Sequence, residues 1–507
     1  MGDFNKKINS FLKNKYYIGI FLFILLLVLK FPILNTPYFD DEKLWYVSAS
    51  LLISQNNLNP IYRGIELPKE LQIEEERKHP WFDSTRNYIT DGVHPPLFFE
   101  ILALFYLLFG HSLILTHIIV IIISFLILQY TYLLGKYLFN SKTGFFASIL
   151  LLFSPVFFSQ AGRAYPDILC AWLGLATIYY ALKNNKTLYL IFGSLTVLSR
   201  ETGICFIIII LIYKIVRNFK NSKKIIFNTM LQYGFPILII LFWYVYHYIK
   251  TGLFIYGQNV SRATGSIQFI LNFLEFTKFI FIEQYRFILT IIMIYFMIKN
   301  KNKLTVNKLI PLITVLCLII FISWANVQAI RHLTPIFPFL FIFMTFSLEQ
   351  TFKKNKKLLP VIVFLIIILS IKEWHAPTNI IYEENMHYLD VINTREIALD
   401  FILKNYPNST FWVDGLFYYD LVYPYNGYVQ EPLTNVELIP IDYLHKNEIF
   451  YNDSNFNKNF KKGDLVLDSK WAVDEIRKEY EFIRYLDLEL IKEINVHNEF
   501  IKIYKIK

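Results

Sequence analysis

The residues best suited to chemistry are acids, arginines and histidines at the ends of long apolar runs. Tyr38-Phe39-Asp40-Asp41-Glu42-Lys43 puts three carboxylates in a row just after the first such run. Adjacent carboxylates repel one another, which is one way a carboxylate is tuned to act as a general base near neutral pH. The same residues also read as a helix start, with Asp40 as N-cap and acids in the first turn. The two readings are compatible, because a capped helix end holds a catalytic carboxylate rigidly.

Asp91-Gly92-Val93-His94-Pro95-Pro96-Leu97 sets His94 directly before a helix opened by two prolines, where it is either a structural turn residue or a phosphate contact. In Arg163-Ala164-Tyr165-Pro166-Asp167, Asp167 begins another apolar run, as a cap or as a second acid of a site. Ser199-Arg200-Glu201-Thr202 breaks an apolar stretch with two charges. Charges at membrane depth need partners and usually serve function; Arg200 and Glu201 either pair with each other or serve a ligand. Arg262 stands alone among uncharged residues, and Arg331 and His332 sit at a helix mouth. These last positions suit lipid-headgroup anchors or a phosphate site.

The elements that must position these groups are membrane helices. The chain is 55% hydrophobic and 18% charged, against about 45–50% and about 25% for soluble chains. Its apolar blocks run to roughly 17–25 residues, the length that crosses hydrocarbon. The net charge of +10 comes from lysine clusters between those blocks, as the positive-inside rule requires, and no basic aromatic groove or module points to nucleic acid. Cys170, Cys205 and Cys317 all fall inside apolar blocks and read as small buried hydrophobes.

Lys6, Lys7, Lys13 and Lys15 precede the first block and predict a cytoplasmic N-terminus. Residues 35–110 form a large outer loop, with amphipathic stretches at Lys43–Ser54 and Pro95–Phe109. Laying the second stretch along the interface makes every later basic cluster cytoplasmic. About eleven spans follow from this count, including a short broken pair, Leu188–Leu198 and Gly203–Ile215. Residues 1–373 then form an all-α polytopic membrane module. From about Trp374 the composition turns charged and Tyr-rich, and short apolar runs alternate with helical patterns. Residues 374–507 therefore read as a small external α/β domain.

On this topology Asp40, Asp41, Glu42, His94, Asp167, Arg262, Arg331 and Arg200 lie at or near the outer face. Acids with arginine and histidine at that interface suit a substrate with a buried lipid tail, an anionic phosphate and a polar head.

The arrangement resembles the GT-C membrane glycosyltransferases, closest to the branch of protein O-mannosyltransferases and lipid A aminoarabinose transferases. The resemblance is carried by Phe39-Asp40-Asp41-Glu42, His94-Pro95-Pro96-Leu97, Arg163–Asp167, Leu198-Ser199-Arg200-Glu201 and Arg331-His332-Leu333-Thr334-Pro335, in that order. It implies a catalytic base at Asp41, or one residue earlier at Asp40, with Glu42 beside it and Asp167 as a second acid. It implies donor-phosphate contacts from His94, Arg262 and the Arg200-Glu201 break, with Arg331 and His332 nearby. The implied substrates are a polyprenyl-phosphate sugar and a hydroxyl acceptor on protein, lipid or surface glycan. Hard carboxylate oxygens at Asp40 and Asp41 would suit a divalent metal, but the branch generally works without one, so no cofactor is expected. The rival readings are a transporter or flippase of lipid-linked glycans, which would show repeated halves, and a lipid-linked glycan ligase or polymerase.

Overall fold

A computed structural model describes residues 14–60, 94–219, 222–251, 266–300, 304–325, 329–355, 357–376, 383–413, 415–438, 461–469, 487–497 and 499–507. Arg262 and Asp91–Val93 lie outside them. The chain divides into two compact units. The described residues of the second are Asn35–Lys43 and Met386 onward, and those of the first are the remainder up to Asn385.

The first unit is helical. α1 is Lys15–Lys30, α2 Ser48–Gln55, α3 Leu97–Phe109, α4 Leu113–Leu138, α5 Ser141–Phe153, α6 Pro155–Gln160, α7 Pro166–Leu182 and α8 Lys186–Ser199. α9 is Gly203–Asn218, α10 Lys223–Thr251, α11 Ser266–Phe281, α12 Arg286–Asn300, α13 Val306–Trp324, α14 Phe337–Thr351 and α15 Leu358–Lys372. A 3-10 turn, Ile330–Ile336, leads directly into α14. Among the described residues, Lys15–Ile33, Leu113–Leu138, Lys223–Lys250, Val306–Trp324 and Ile330–Thr351 are long and apolar enough to cross a membrane, and α3, α5, α7, α8 and α15 are shorter apolar helices. The protein is a multi-pass membrane protein.

Asparagines begin several of these helices by accepting hydrogen bonds from orphan backbone N–H groups. Asn14 accepts from Tyr16, Asn140 from Lys142 and Thr143, and Asn185 from Leu188. Aliphatic side chains such as Ile20, Ile24 and Val28 of α1 are exposed, as a lipid-facing surface requires. α4 and α5 run so close that a Cβ at Gly144 would lie 2.4 Å from the Tyr132 carbonyl oxygen, which only glycine permits.

Three segments differ in detail from the apolar pattern. The stretch before Glu283, whose polar residues suit a loop, contains α11, which meets α12 at 95°. Its polar Asn272, Glu275 and Lys278 interrupt the apolar run. Ile267, Ile270, Leu271 and Leu274 nevertheless form an exposed stripe at helical spacing. The Lys43–Ser54 stretch is a π-helical turn, Glu42–Val47, followed by α2, which packs on α3. The apolar run Gly144–Ser159 is long enough for one span but is split at Ser154 before Pro155, which cannot continue a helix hydrogen-bond ladder.

The second unit contains an α/β layer. α16, Tyr388–Asn405, packs on a five-stranded sheet ordered β2-β1-β3-β5-β4. The strands are β1 Phe411–Val413, β2 Val436–Leu438, β3 Leu465–Ser469, β4 Leu488–Val496 and β5 Glu499–Ile506. β1 pairs parallel with β2 and β3, while β5 pairs antiparallel with β3 and β4. α17, Gly415–Val422, follows β1.

Candidate functional site

In the first unit the break between α8 and α9 organises a buried ionic cluster. α8 closes on its own threonines and serine: Ser199 Oγ donates to the Thr196 carbonyl at 2.6 Å, and Thr196 Oγ1 meets Thr177 Oγ1 of α7 at 2.8 Å. Arg200 is extended, and Gly203 N–H donates to its carbonyl at 2.9 Å to start α9. A Cβ on Gly203 would stand 2.3 Å from the Thr196 carbonyl oxygen, so the tight reversal requires glycine.

This reversal sends the two charges of the break to different partners rather than to each other. Arg200 Nη1 lies 3.0 Å from Asp167 Oδ2, an ionic contact without hydrogen-bond alignment. Glu201 Oε1 lies 2.8 Å from His94 Nδ1, with both side chains partly exposed. Asp167 is the second residue of α7, after Pro166 at N1; Tyr165, not Asp167, occupies the cap position. A carboxylate there is favoured by the helix N-terminus.

His332, in the Ile330–Ile336 turn, completes the cluster. Its Nδ1 lies 3.0 Å from Asp167 Oδ1, and its Nδ1 and Nε2 lie 2.9 and 3.4 Å from Arg200 Nη2. A carboxylate accepts only, so a proton on Nδ1 donates to Asp167, whereas a bare Nδ1 accepts from Arg200; one tautomer satisfies one of these two contacts. Asp167, Arg200 and His332 are all buried. Each needs the others, since an unpaired buried charge costs several kcal/mol.

Arg331 takes a different partner. Its guanidinium pairs with Glu383, whose Oε2 also accepts from the Arg331 N–H at 3.0 Å. The guanidinium groups of Arg331 and Arg163 lie 5.0 and 4.6 Å from the Tyr165 ring centre, and Tyr46 meets the same ring edge-on at 5.5 Å. Sequence reasoning missed Glu383. No charge pattern links Glu383 to Arg331, which stands 52 residues earlier. It also missed Glu384, whose carboxyl is pushed up to about 7 by burial and Glu283, against the opposing pull of Arg286. A perturbed carboxyl of this kind marks a candidate acid or base.

The acidic run belongs to the second unit. Asp40 has a left-handed backbone, φ 54, instead of the extended conformation of an ordinary N-cap. Asp40 and Glu42 are buried and Asp41 is partly exposed. Glu42 Oε2 accepts from the Phe39 N–H at 3.3 Å. The flanks are anchored: Tyr38 N–H donates to the Asn426 carbonyl at 3.0 Å, and Tyr425 Oη donates to the Lys43 carbonyl at 3.1 Å. Lys43 pairs with Asp420, which pairs with Arg395 at 2.6 Å. Among the described residues, no group of three or more His, Cys, Asp or Glu side chains is arranged to hold a metal ion.

Residues 93–247 match the family model of dolichyl-phosphate-mannose-protein mannosyltransferase. His94, Asp167, Arg200 and Glu201 all fall inside that segment. No curated protein matches the chain. ArnT from Cupriavidus metallidurans bound to undecaprenyl phosphate is similar in structure, with TM-score 0.55 and 11% identity over 96% of this chain and 97% of that one. Its apo form gives TM-score 0.53 and 12% identity with the same coverage. The Archaeoglobus fulgidus oligosaccharyltransferase in complex with zinc and sulfate gives TM-score 0.50 and 12% identity over 92% of this chain and 69% of that one. With residues 93–247 inside the mannosyltransferase family model, the chain has the GT-C glycosyltransferase fold.

Proposed function

We propose that the protein transfers a sugar from a polyprenyl-phosphate-linked donor to an acceptor hydroxyl at the outer face of the membrane, with inversion. The observation that carries this reading is the buried Asp167–Arg200–His332 cluster at a break between two apolar helices. Such a cluster gives an anionic headgroup a fixed guanidinium next to hydrocarbon. The fold match to a protein bound to undecaprenyl phosphate supports the donor class.

In the proposed reaction the acceptor hydroxyl gives its proton to a carboxylate, and its oxygen attacks the anomeric carbon. The bond from that carbon to the phosphate oxygen breaks, and the electron pair leaves with the polyprenyl phosphate. Asp41 is assigned the base by the sequence resemblance, and its partial exposure suits the role. The leaving group needs charge stabilisation more than protonation. Arginine supplies a fixed charge and several N–H donors. Asp167 and His332 hold Arg200 in place, and Glu201 orients His94 for a second phosphate contact. Arg331 is held by Glu383 and would add positive potential. Arg262 keeps the donor-phosphate role that the resemblance gives it.

The test is a single-turnover reaction of purified protein with a polyprenyl-phosphate donor carrying labelled sugar, chased into acceptor extracts. Label should pass to acceptor. A sugar that stays on its lipid in every extract, while the carrier crosses reconstituted vesicles, would establish the transporter reading instead.

A further inference from the structure

The far end of α9 from Arg200 holds a second polar site. Lys214 is 11 residues past Gly203, about 17 Å along the helix at the α-helical rise. There the start of α8, the last turn of α9 and the first turns of α10 surround a cavity of about 400 Å³. That volume lies within the range of small-molecule sites, about 300–1,000 Å³.

Its lining includes Lys186, Lys214 and Arg217, with Asn228, Thr229 and Gln232 from α10, and no Asp or Glu among the described residues. Lys214 is buried at 4% exposure. Its Nζ donates to Asn184 Oδ1 at 2.6 Å and lies 4.9 Å from the Tyr233 ring centre. Arg217 Nη1 donates to Tyr213 Oη at 3.2 Å. Among the described residues none of the three cations forms an ion pair. A neutral amide and a ring face offset only part of the cost of burying an ammonium group. α8 and α10 both begin here with lysine and no acid in the first turn, so their N-termini add positive potential. The carbonyl end of α9 removes some of it.

Lysine clusters at helix ends are expected from membrane topology alone. That rule asks for exposed charge. It does not ask for a buried lysine facing a cavity that amides and a hydroxyl also line. We propose that this cavity binds a phosphate group, with Lys186, Lys214 and Arg217 as its charge partners. A lipid headgroup is the natural source, because exposed Ile212 and Val216 flank the cations on α9 and mark a lipid-facing surface. The inference is independent of the transfer reading and uses none of its residues.

The test measures thermal unfolding of the full chain in phosphatidylcholine nanodiscs, with and without phosphatidylglycerol. A second arm adds inorganic phosphate against chloride at matched ionic strength. A ligand that binds only the folded state raises the melting temperature. Phosphatidylglycerol should raise it by several degrees in the wild type. Arg217→Gln, at an exposed position, and Lys214→Met should each remove most of that rise. A rise with inorganic phosphate as well means the phosphate group suffices, and a rise with lipid alone means the acyl chains are also held. No rise in either arm, or an equal rise in Arg217→Gln, overturns the site. Should Lys214→Met not fold, Arg217→Gln alone decides.

Discussion

Lys43 and Asp420 stand 377 residues apart and form an ion pair with both side chains fully buried. Asp420 also accepts from Arg395, itself almost fully buried, so one carboxylate serves two buried cations. The residue immediately after the acidic run is thereby held in the second unit by charge as well as by the backbone contacts of Tyr38.

Removing that carboxylate should therefore be costly. Asp420→Ala takes away the carboxylate that two buried cations share, a class of change that destabilises by about 3–5 kcal/mol. Thermal unfolding of the purified variant should show a clear loss. Adding Lys43→Met should recover part of it, because one of the two buried cations is then gone. An unchanged melting temperature in Asp420→Ala would show that the pair contributes nothing.

For the acidic run itself, Asp41→Asn should lower transfer by about 10²–10⁴-fold, the usual cost of losing a positioned general base. Asp40→Asn should cost less, since Asp40 is buried in a left-handed turn. Rates from a polyprenyl-phosphate sugar donor decide between them. A dead Asp40→Asn beside an active Asp41→Asn would move the base by one residue.

The cluster at the α8–α9 break predicts a ranking. Arg200→Lys keeps a charge but loses the planar fork that reaches both Asp167 and His332, so it should retain only part of the activity. Asp167→Asn keeps shape but leaves Arg200 without its counter-charge, and should lower kcat by about 10²–10³-fold. Glu201→Gln should do less, because the His94–Glu201 pair is partly exposed. Full activity in Arg200→Lys would mean that charge alone matters there. Full activity in Asp167→Asn would remove the cluster from the mechanism.

Much of this was legible in the sequence because it is local. Apolar length gave the helices, the Pro-Pro and Tyr-Pro-Asp signals gave the starts of α3 and α7, and the charged pair at Arg200-Glu201 gave the break between α8 and α9. The partners were not legible, because they depend on packing between distant segments. Nothing in the order of residues ties Asp167 to His332, 165 positions later, or Arg331 to Glu383. Arg200 and Glu201 illustrate the limit. Adjacent opposite charges suggest a pair, yet an extended Arg200 and the Gly203 turn point them to Asp167 and His94. The clamp on Lys43 was equally hidden, since a lysine after three acids reads as their local counter-charge.

A titration effect should appear in the second unit. His387, just before α16, places Nδ1 3.1 Å from Asp390 Oδ2 and Nε2 2.8 Å from Glu499 Oε1, the first residue of β5. Burial alone would lower its pKa. The two hydrogen bonds and the two negative charges outweigh burial and raise it from 6.5 to about 9. Only the imidazolium can donate to both carboxylates; a neutral ring donates to one of them. Because the folded pKa lies above the unfolded one, the stabilisation is complete below about pH 6.5. It declines between 6.5 and 9 as the unfolded state gives up its proton first, and is absent above 9. Exposed His497 also meets Asp390, at 3.0 Å, but its 63% exposure keeps that contact weak. Thermal unfolding from pH 6 to 10 should show the wild type losing stability through this window. His387→Gln should start lower at pH 6.5 and converge on the wild type by about pH 9.5. If the two curves run parallel across the range, His387 does not tie α16 to β5 through its charge.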